Sequence, residues 1–280
     1  MVQAGEFCSH ENKMNPSFQF DDVQSRRVEA MYRTSDIIRQ QREVMQLLSP
    51  KPGERVLDIG AGTGQQTFAI AGIVGASGSV HGIDRSESMI AIARERCGQQ
   101  RGVTFQLADA VELPFKNDSF DVAVCTQIYE YVADIETALS ELYRVLRPGG
   151  RALILDTDWD SLVWHTTDRT RMCRVLSAWD DHLADPHLPA TLLPVLSRVG
   201  FQAIETHLFP VLNTECSEDT YSFWLIQFIE SFIAGRANIT AADRAAWADE
   251  LRQLNEHGSY FFSLNRYIFL IRKMRRRSSA

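Results

Sequence analysis

The stretch Val56-Leu-Asp-Ile-Gly-Ala-Gly-Thr-Gly64 decides the fold predicted for this chain. Its first half is a short apolar run of the kind found in buried strands, and its second half places glycines at alternate positions. Glycine adopts positive φ angles at little cost and lets a ligand approach the backbone closely. A helix is predicted to begin directly afterwards, at Gln65. The segment therefore predicts a strand, a ligand-binding turn and a helix in immediate succession.

Strand-like and helical segments alternate on the carboxyl side of this turn. The further strands are predicted at residues 79–83, 103–107, 120–125 and 152–155. The segments between them, residues 65–74, 86–97 and 134–146, carry apolar residues at helical intervals. Pro148-Gly149-Gly150 is predicted to end the third helix. This alternation is typical of an α/β fold in which helices cover both faces of a parallel sheet.

The segments on either side of this core differ from it in pattern. Residues 1–20 are predicted to be disordered, residues 21–49 to form an N-terminal helical cap, and residues 50–280 to form the main domain. Beyond residue 158, helices are predicted at residues 166–184, 188–199, 217–234 and 240–257, and strands at 201–212 and 259–272. The helical pair falls within an insertion at about residues 214–258, which we expect to form a lid before the final strand.

Composition excludes several classes of protein. The formal net charge is -7 and the isoelectric point about 5.5, which disfavours general attraction to nucleic acid. No stretch approaches the roughly 18 apolar residues that span a bilayer, so stable membrane insertion is not expected. Five scattered cysteines lack a CxxC pair, and the N-terminus has no basic segment leading into an apolar one. These features predict a cytoplasmic protein.

Glycine spacing and acidic residues distinguish between cofactors. A dinucleotide fingerprint reads G-x-G-x-x-G, whereas this turn reads G-x-G-x-G with Asp58 just before it. A carboxylate there would repel a pyrophosphate and favour an ammonium group. Asp84, at the end of the second strand, suits ribose hydroxyls, and Asp109 suits an exocyclic adenine amine. The spacing disfavours an NAD-linked reductase, although Asp84 alone does not discriminate.

Four motifs in order carry a resemblance to a known family. VLDIGAGTG, GIDRSESMIAIAR, ADAVELPFKNDSFDVAV and ALSELYRVLRPGGRALI, over about residues 50–158, resemble the class I S-adenosylmethionine-dependent methyltransferases. Within that family they are similar to the ubiquinone and menaquinone C-methyltransferases. The resemblance implies a Rossmann-like, doubly wound sheet of seven strands, the last antiparallel, with S-adenosyl-L-methionine as cofactor. The residues that it implies for cofactor binding are Asp58, Gly60, Gly62, Thr63, Gly64, Gln65, Asp84, Arg85, Met89, Asp109, Ala110, Thr126 and Gln127.

Residues that could act on the methyl acceptor are harder to identify. Asp158 and His165 follow the fifth strand, and Tyr32 lies on a preceding helix that folds over the cofactor in similar enzymes. We take these three as the catalytic candidates, with His182 and His187 as weaker ones. The histidines and acids show no metal-ligand spacing, so no metal site is predicted.

The predicted function is transfer of a methyl group from S-adenosylmethionine to O, N or C of a small, apolar or aromatic metabolite. Aromatic residues in the C-terminal half favour such an acceptor, among them Trp159, Trp164 and Trp224. Two alternatives stay open, a non-catalytic scaffold that binds the cofactor and a methyltransferase acting on a macromolecule. A homodimer is compatible with the sequence.

Overall fold

The computed structural model describes residues 22–275, with side chains from Arg26 onward. The predicted disorder of residues 1–20 lies outside this range. Helices and strands alternate along the described part of the chain. The helices are α1 (Asp22–Met31), α2 (Ser35–Leu48), α3 (Gln65–Val74), α4 (Glu87–Cys97), α5 (Ile135–Val145), α6 (Arg169–Asp180), α7 (Leu188–Val199), α8 (Tyr221–Phe232) and α9 (Ala241–Glu256). The strands are β1 (Arg55–Ile59), β2 (Ser79–Asp84), β3 (Val103–Leu107), β4 (Phe120–Thr126), β5 (Leu146–Trp164), β6 (Phe201–Asn213) and β7 (Phe262–Lys273).

The strands form one sheet of seven in the order β3-β2-β1-β4-β5-β7-β6. Strands β1 to β5 pair in parallel, whereas β7 is antiparallel to both β5 and β6. The strand order reverses between β1 and β4, and ligands of doubly wound sheets bind in the crevice at such a point. The predicted α/β class, with seven strands and an antiparallel last strand, is confirmed.

Alternating side chains divide the core into two layers. Val56 of β1 belongs to one buried cluster, which includes residues of α2, α6, α8 and α9. The next residue, Leu57, belongs to the other, which includes residues of α5 and α7. Successive residues of a strand point to opposite faces, so an apolar run such as β1 buries both. The two layers hold the carboxyl ends of β1, β4 and β5 in fixed register.

Strand β5 departs from the prediction at its start. The helix predicted to stop at Pro148-Gly149-Gly150 ends at Val145, and those three residues lie inside β5. The pairing of β4 with β5 shifts register between Phe120 and Val122, which accommodates the extra residues as an irregularity. Proline ends a helix because it lacks an amide donor, but at such an irregularity it does not end a strand.

The far end of β5 also carries an irregularity. Its pairing with β7 shifts between Asp158 and Val163, which leaves the intervening residues without regular partners. The Ser161 hydroxyl donates to the Asp158 carbonyl and accepts the Asn265 amide at 2.8 Å. The bulge turns Trp159 into the core, where 7% of it is exposed. Strand β5 therefore extends well beyond the parallel part of the sheet.

The N-terminal helices and the pair α8–α9 pack over the same layer. Asp36 of α2 accepts the Tyr221 amide at 2.9 Å and an Asn213 amide proton at 2.8 Å. Asp219, just before α8, accepts the amide and hydroxyl of Ser35. These bonds connect the start of α2 to the start of α8. The two elements together cover the edge of the sheet where β1, β4 and β5 end.

Candidate functional site

The glycine turn after β1 has a backbone that only glycine adopts easily. Gly60, Gly62 and Gly64 have φ angles of +72°, +51° and +78°. A Cβ atom on Gly64 would lie 2.9 Å from Cβ of Ala93, whereas one on Gly62 would meet only the Tyr32 side chain, with the hydroxyl at 3.5 Å. Gly64 is therefore needed for packing of the turn against α4. At Gly62 the positive φ angle, and not packing, calls for glycine.

Asp58 lies beneath this turn and is almost completely buried. Its Oδ2 accepts the hydroxyl of Thr67, from α3, at 2.6 Å. Burial raises the pKa of Asp58 to about 6, and the nearby Asp84 adds to the rise while Thr67 opposes it. A buried acid of this kind gains a favourable partner when a cationic group binds next to it.

Asp84 ends β2 beside the turn. Its Oδ2 accepts the Gly62 amide and its Oδ1 the Ser86 amide, each at 2.9 Å. Burial raises the pKa of Asp84, while these backbone donors favour its charged form. Ionised carboxylates have about four lone-pair sites, so two remain for hydroxyl donors of a ligand. Ser86 also caps α4, because its hydroxyl accepts the Met89 amide at 3.3 Å.

Arg85 and Asp109 form the rim of this pocket region. The Nε atom of Arg85 lies 3.4 Å from Oδ2 of Asp109, and both side chains are substantially exposed. Asp109 turns the chain after β3, where its Oδ1 accepts the Val111 amide at 3.2 Å. Ala110, which follows it, is buried. The rim thus combines an acceptor with a small apolar surface, a combination that suits a purine ring.

Tyr32 connects the N-terminal helices to the turn. Its hydroxyl would lie 3.5 Å from a Cβ atom on Gly62, so the ring covers the turn. Burial raises the pKa of Tyr32 to about 12, with Asp84 and Asp58 adding to the rise and Arg266 opposing it. The hydroxyl therefore stays protonated at neutral pH.

Other predicted residues lie near the turn or at the end of β4. Thr63 is buried and its carbonyl accepts Nε of Arg96 at 2.8 Å. Gln65 accepts an amide proton of Gln41 at 2.8 Å, which links α3 to α2. Gln127 follows Thr126 with a φ angle of +55°, and its side chain donates to the Thr157 hydroxyl at 3.3 Å. Gln127 therefore reaches across from β4 to β5.

Two buried carboxyl groups lie at the ends of β4 and β5, and neither is exposed to solvent. Asp156 accepts the Ile128 amide at 3.1 Å. Glu130 accepts the Thr157 amide at 3.1 Å and Nε1 of Trp159 at 3.3 Å. Burial raises the pKa of Glu130 to about 7 and that of Asp156 well above its usual range. The pair thus holds protons at pH values where exposed carboxyl groups have lost them.

Arg266 completes this polar region from β7. It pairs with Thr157 of β5 and is fully buried. One guanidinium nitrogen donates to Gln40 of α2, and the guanidinium lies over the Tyr221 ring, 4.4 Å from its centre. Sequence analysis missed Glu130 and Arg266. Each is a charged residue in a largely apolar segment, which was the available signal. Glu130 lies in Tyr129-Glu-Tyr-Val132, and Arg266 directly precedes Tyr267 in the aromatic last strand.

Two catalytic candidates were expected after the fifth strand, but Asp158 lies inside β5 and only His165 follows it. Asp158 is half-buried, and burial raises its pKa, with Asp160 adding to the rise. His165 is exposed, and its amide pairs with the carbonyl of Phe261, five residues before Arg266. At about 3.3 Å per residue, this is about 16 Å farther along the strand. Among the candidates, Tyr32 alone contacts the glycine turn.

The weaker histidine candidates have different surroundings. His182 is buried and stacks on the Trp179 ring, with centres 3.6 Å apart. Burial lowers its pKa to about 3, so it is a weak base at neutral pH. Nδ1 of His187 lies 2.9 Å from Asp160 at the surface. Across residues 22–275, the structure contains no cluster of three or more His, Cys, Asp or Glu that could hold a metal ion.

Comparisons with known proteins agree with this geometry. A family model described as a methyltransferase domain matches residues 50–193. The chain is 44% identical over 109 residues to 2-phytyl-1,4-naphtoquinone methyltransferase of Synechococcus elongatus. The aligned segment covers 38% of this chain and 47% of that protein. The chain is 37% identical over 121 residues to demethylmenaquinone methyltransferase of Staphylococcus aureus, which covers 43% and 50%. The match thus spans about half the length of these relatives.

Solved structures share the fold over a longer stretch. Phosphoethanolamine N-methyltransferase 2 of Haemonchus contortus, solved with S-adenosyl-L-methionine, superposes with a TM-score of 0.60 at 22% identity. The superposition covers 92% of this chain and 58% of that one. At this identity the likeness concerns the fold. The resemblance inferred from the four motifs is confirmed, and the chain belongs to the methyltransferase domain family.

Proposed function

We propose that this protein is an enzyme that transfers a methyl group from S-adenosyl-L-methionine to a small, apolar or aromatic metabolite. The observation that carries the proposal is the pair of acids beside the glycine turn. Asp58 is buried beneath it and Asp84 is held by the Gly62 and Ser86 amides. The matching family and the names of both quinone-methylating relatives support the same reaction class.

The predicted binding residues fit this cofactor. Asp58 would accept the ammonium group and Asp84 the ribose hydroxyls, since its carboxylate keeps free lone pairs. Asp109 would accept from the adenine amine beside Ala110, while Arg85 and Met89 would border the ribose and adenine. Gly60, Gly62, Thr63, Gly64 and Gln65 would surround the methionine end. Thr126 and Gln127 would face the sulfonium from β4.

The cofactor supplies an electrophilic methyl group on a cationic sulfur, and the protein has to orient the acceptor and exclude water. Helices α2 and α8, joined through Asp36 and Asp219, support a closed site. Tyr32 is the catalytic candidate with most support, because its protonated hydroxyl covers the glycine turn. Asp158 and His165 remain proposals for the acceptor side.

A small acceptor is supported by charge and by aromatic surroundings. The net charge of -7 disfavours a nucleic acid substrate. Trp159, Trp179 and Phe232 are buried near the ends of β4 and β5. None of the described helices is long and apolar enough to cross a bilayer. The scattered free cysteines of the described chain, Cys97, Cys125, Cys173 and Cys216, support a reducing, cytoplasmic setting.

Methyl transfer can be tested without knowing the acceptor. The purified protein is incubated with S-adenosylmethionine labelled in the methyl group and with a metabolite extract, and label is followed by mass spectrometry. We expect label in one small-molecule product, and no label with the Asp84→Asn variant. Cofactor binding without any labelled product would favour the scaffold alternative, and label in protein or nucleic acid would favour a macromolecular acceptor.

A further inference from the structure

Arg266 presents hydrogen-bond donors that the described protein does not use. Its side chain is fully buried, and one nitrogen donates to Gln40. Its Nε and Nη2 atoms have no hydrogen-bond partner of regular geometry in residues 22–275. A buried charged donor without a partner is costly, typically by a few kcal/mol. A ligand that accepts hydrogen bonds from these donors would remove this cost.

The groups around Arg266 do not neutralise it. The guanidinium charge lowers the pKa of Glu130, but burial outweighs this effect and raises that pKa to about 7. Its Oε2 is already bonded to the Thr157 amide and to Trp159. The guanidinium carbon of Arg266 lies 4.4 Å from the centre of the Tyr221 ring, and a neutral aromatic ring does not cancel the charge of the cation. The guanidinium therefore has unsatisfied donors that an anion could bind.

Arg266 lies close to the proposed active centre. Thr157, its pairing partner on β5, accepts the Gln127 side chain at the end of β4. On the other side, the guanidinium opposes the rise in the pKa of Tyr32, whose ring covers the glycine turn. Arg266 therefore lies beyond the parallel part of β5 and against α2 and α8, on the side of the sheet where cofactor and acceptor would have to meet.

We infer that Arg266 binds a carboxylate or another planar anionic oxygen group inside the closed site. The guanidinium fork matches two oxygens of one group, and a dry surrounding strengthens such bonds. The anion belongs either to the methyl acceptor or to the methionine end of the cofactor. The identity of these two candidate ligands rests on the proposed function. The presence of an anion site at Arg266 does not depend on catalysis.

Two ligand pairs distinguish the sources. The first is S-adenosylhomocysteine and its decarboxylated analogue S-adenosyl-3-thiopropylamine, titrated calorimetrically into wild type and Arg266→Gln. If the anion is the cofactor carboxylate, the variant binds S-adenosylhomocysteine about tenfold to a hundredfold more weakly. Its affinity for the decarboxylated analogue stays at the wild-type value, which also shows that the variant is folded.

The second pair is benzoate and its neutral counterpart benzamide, added to protein saturated with S-adenosylhomocysteine. If the anion belongs to the acceptor, benzoate but not benzamide raises the melting temperature of wild type, and Arg266→Gln abolishes the rise. The matched control is Arg39→Gln, because Arg39 also lies 4.4 Å over a ring, that of Phe209, but at the surface. The control should behave as wild type in both assays.

Equal S-adenosylhomocysteine affinity in wild type and Arg266→Gln, together with no Arg266-dependent response to benzoate, overturns the inference. This result leaves the proposed function intact if wild type binds S-adenosylhomocysteine. Failure of wild type to bind S-adenosylhomocysteine contradicts the proposed function instead. In that case the benzoate assay on the protein alone still decides whether Arg266 is an anion site.

Discussion

The two ends of the crevice hold buried charge in different ways. At the ends of β1 and β2, the carboxylate of Asp84 accepts two backbone amides, and its remaining lone pairs can accept hydrogen bonds from a ligand. At the ends of β4, β5 and β7, Glu130, Asp156 and Arg266 are fully buried, and each keeps atoms without a partner in the described chain. The first end is organised before a ligand binds, whereas the second needs a ligand to satisfy its polar groups.

This difference teaches where affinity and where specificity reside. Backbone donors are fixed by the fold and suit a cofactor that is the same in every turnover. Buried side chains with unsatisfied hydrogen bonds disfavour any ligand that does not satisfy them. The free-energy cost of burying the polar atoms then remains in the complex. We therefore expect changes at the first end to alter cofactor affinity. Changes at the second should alter acceptor choice and the response of stability to pH.

The largest expected effect is on cofactor affinity at the first end. Asp84→Asn removes the charge and half of the acceptors while keeping the shape, so binding of S-adenosylhomocysteine should weaken by about 3 kcal/mol, or more than a hundredfold. Calorimetry measures this directly. The control is Asp249→Asn, an exposed acid on α9 that pairs with Arg252. Unchanged affinity in Asp84→Asn would remove the ribose role from Asp84.

Two glycines of the turn separate packing from ligand access. Gly64→Ala forces a Cβ atom to within 3.0 Å of the Ala93 backbone and imposes backbone strain. It should lower the free energy of unfolding by about 2–3 kcal/mol, against about 1 kcal/mol for Gly62→Ala, whose cost is strain alone. Urea denaturation checks both. Equal losses in the two variants would mean that the contact with α4 does not matter.

The second end should respond to pH. Burial raises the pKa of Glu130 from its ordinary 4.5 to about 7, so the folded protein holds this proton more tightly than the unfolded chain. Stability is then greatest below about pH 4.5 for this group and falls as pH rises towards 7. Asp58 acts in the same direction, because burial raises its pKa to about 6.

Glu130→Gln removes this dependence at one site. Relative to wild type, the variant should gain about 2 kcal/mol in free energy of unfolding between pH 5 and pH 8, since no buried proton has to be lost. Denaturation at several pH values measures the gain. The control Glu136→Gln changes an exposed acid that pairs with Arg198. A wild-type slope that Glu130→Gln leaves unchanged would contradict the buried, protonated state.

The smallest expected effect concerns the cover of the turn. Tyr32→Phe removes one hydroxyl, so affinity for S-adenosylhomocysteine should fall by about 1 kcal/mol, less than tenfold. Because burial raises the pKa of Tyr32 to about 12, wild-type affinity should not change through ionisation of this group below pH 10. Tyr143→Phe on α5 is the control. A loss greater than a hundredfold would make Tyr32 a principal ligand instead of a cover.

The sequence carried more information about the first end than about the second. Asp58, the alternate glycines and Asp84 lie on short segments whose contacts are local, so motif and spacing indicate their arrangement. Bonds across the second end join residues far apart in the chain. Arg266 and Gln40 are 226 residues apart, and Trp159 meets Glu130 across the gap between two strands. Nothing in the periodicity of β7 indicates that its single buried arginine faces α2.

Turn chemistry explains the remaining differences in the fold. Pro148-Gly149-Gly150 predicted the end of a helix, but the irregular pairing of β4 with β5 keeps these residues within the strand. The pairing of β5 with β7 shifts between Asp158 and Val163, and His165 lies beyond this bulge. A shift of register changes which side chains share a face, and it cannot be read from composition.

The central claim is that the crevice binds an S-adenosyl cofactor, and one titration tests it most directly. Intact protein is titrated calorimetrically with S-adenosylhomocysteine and, separately, with NADH. The acids beside the glycine turn predict saturable, one-to-one binding of S-adenosylhomocysteine and no heat of binding with NADH. Binding of NADH without S-adenosylhomocysteine, or of neither, would contradict the assignment of this site.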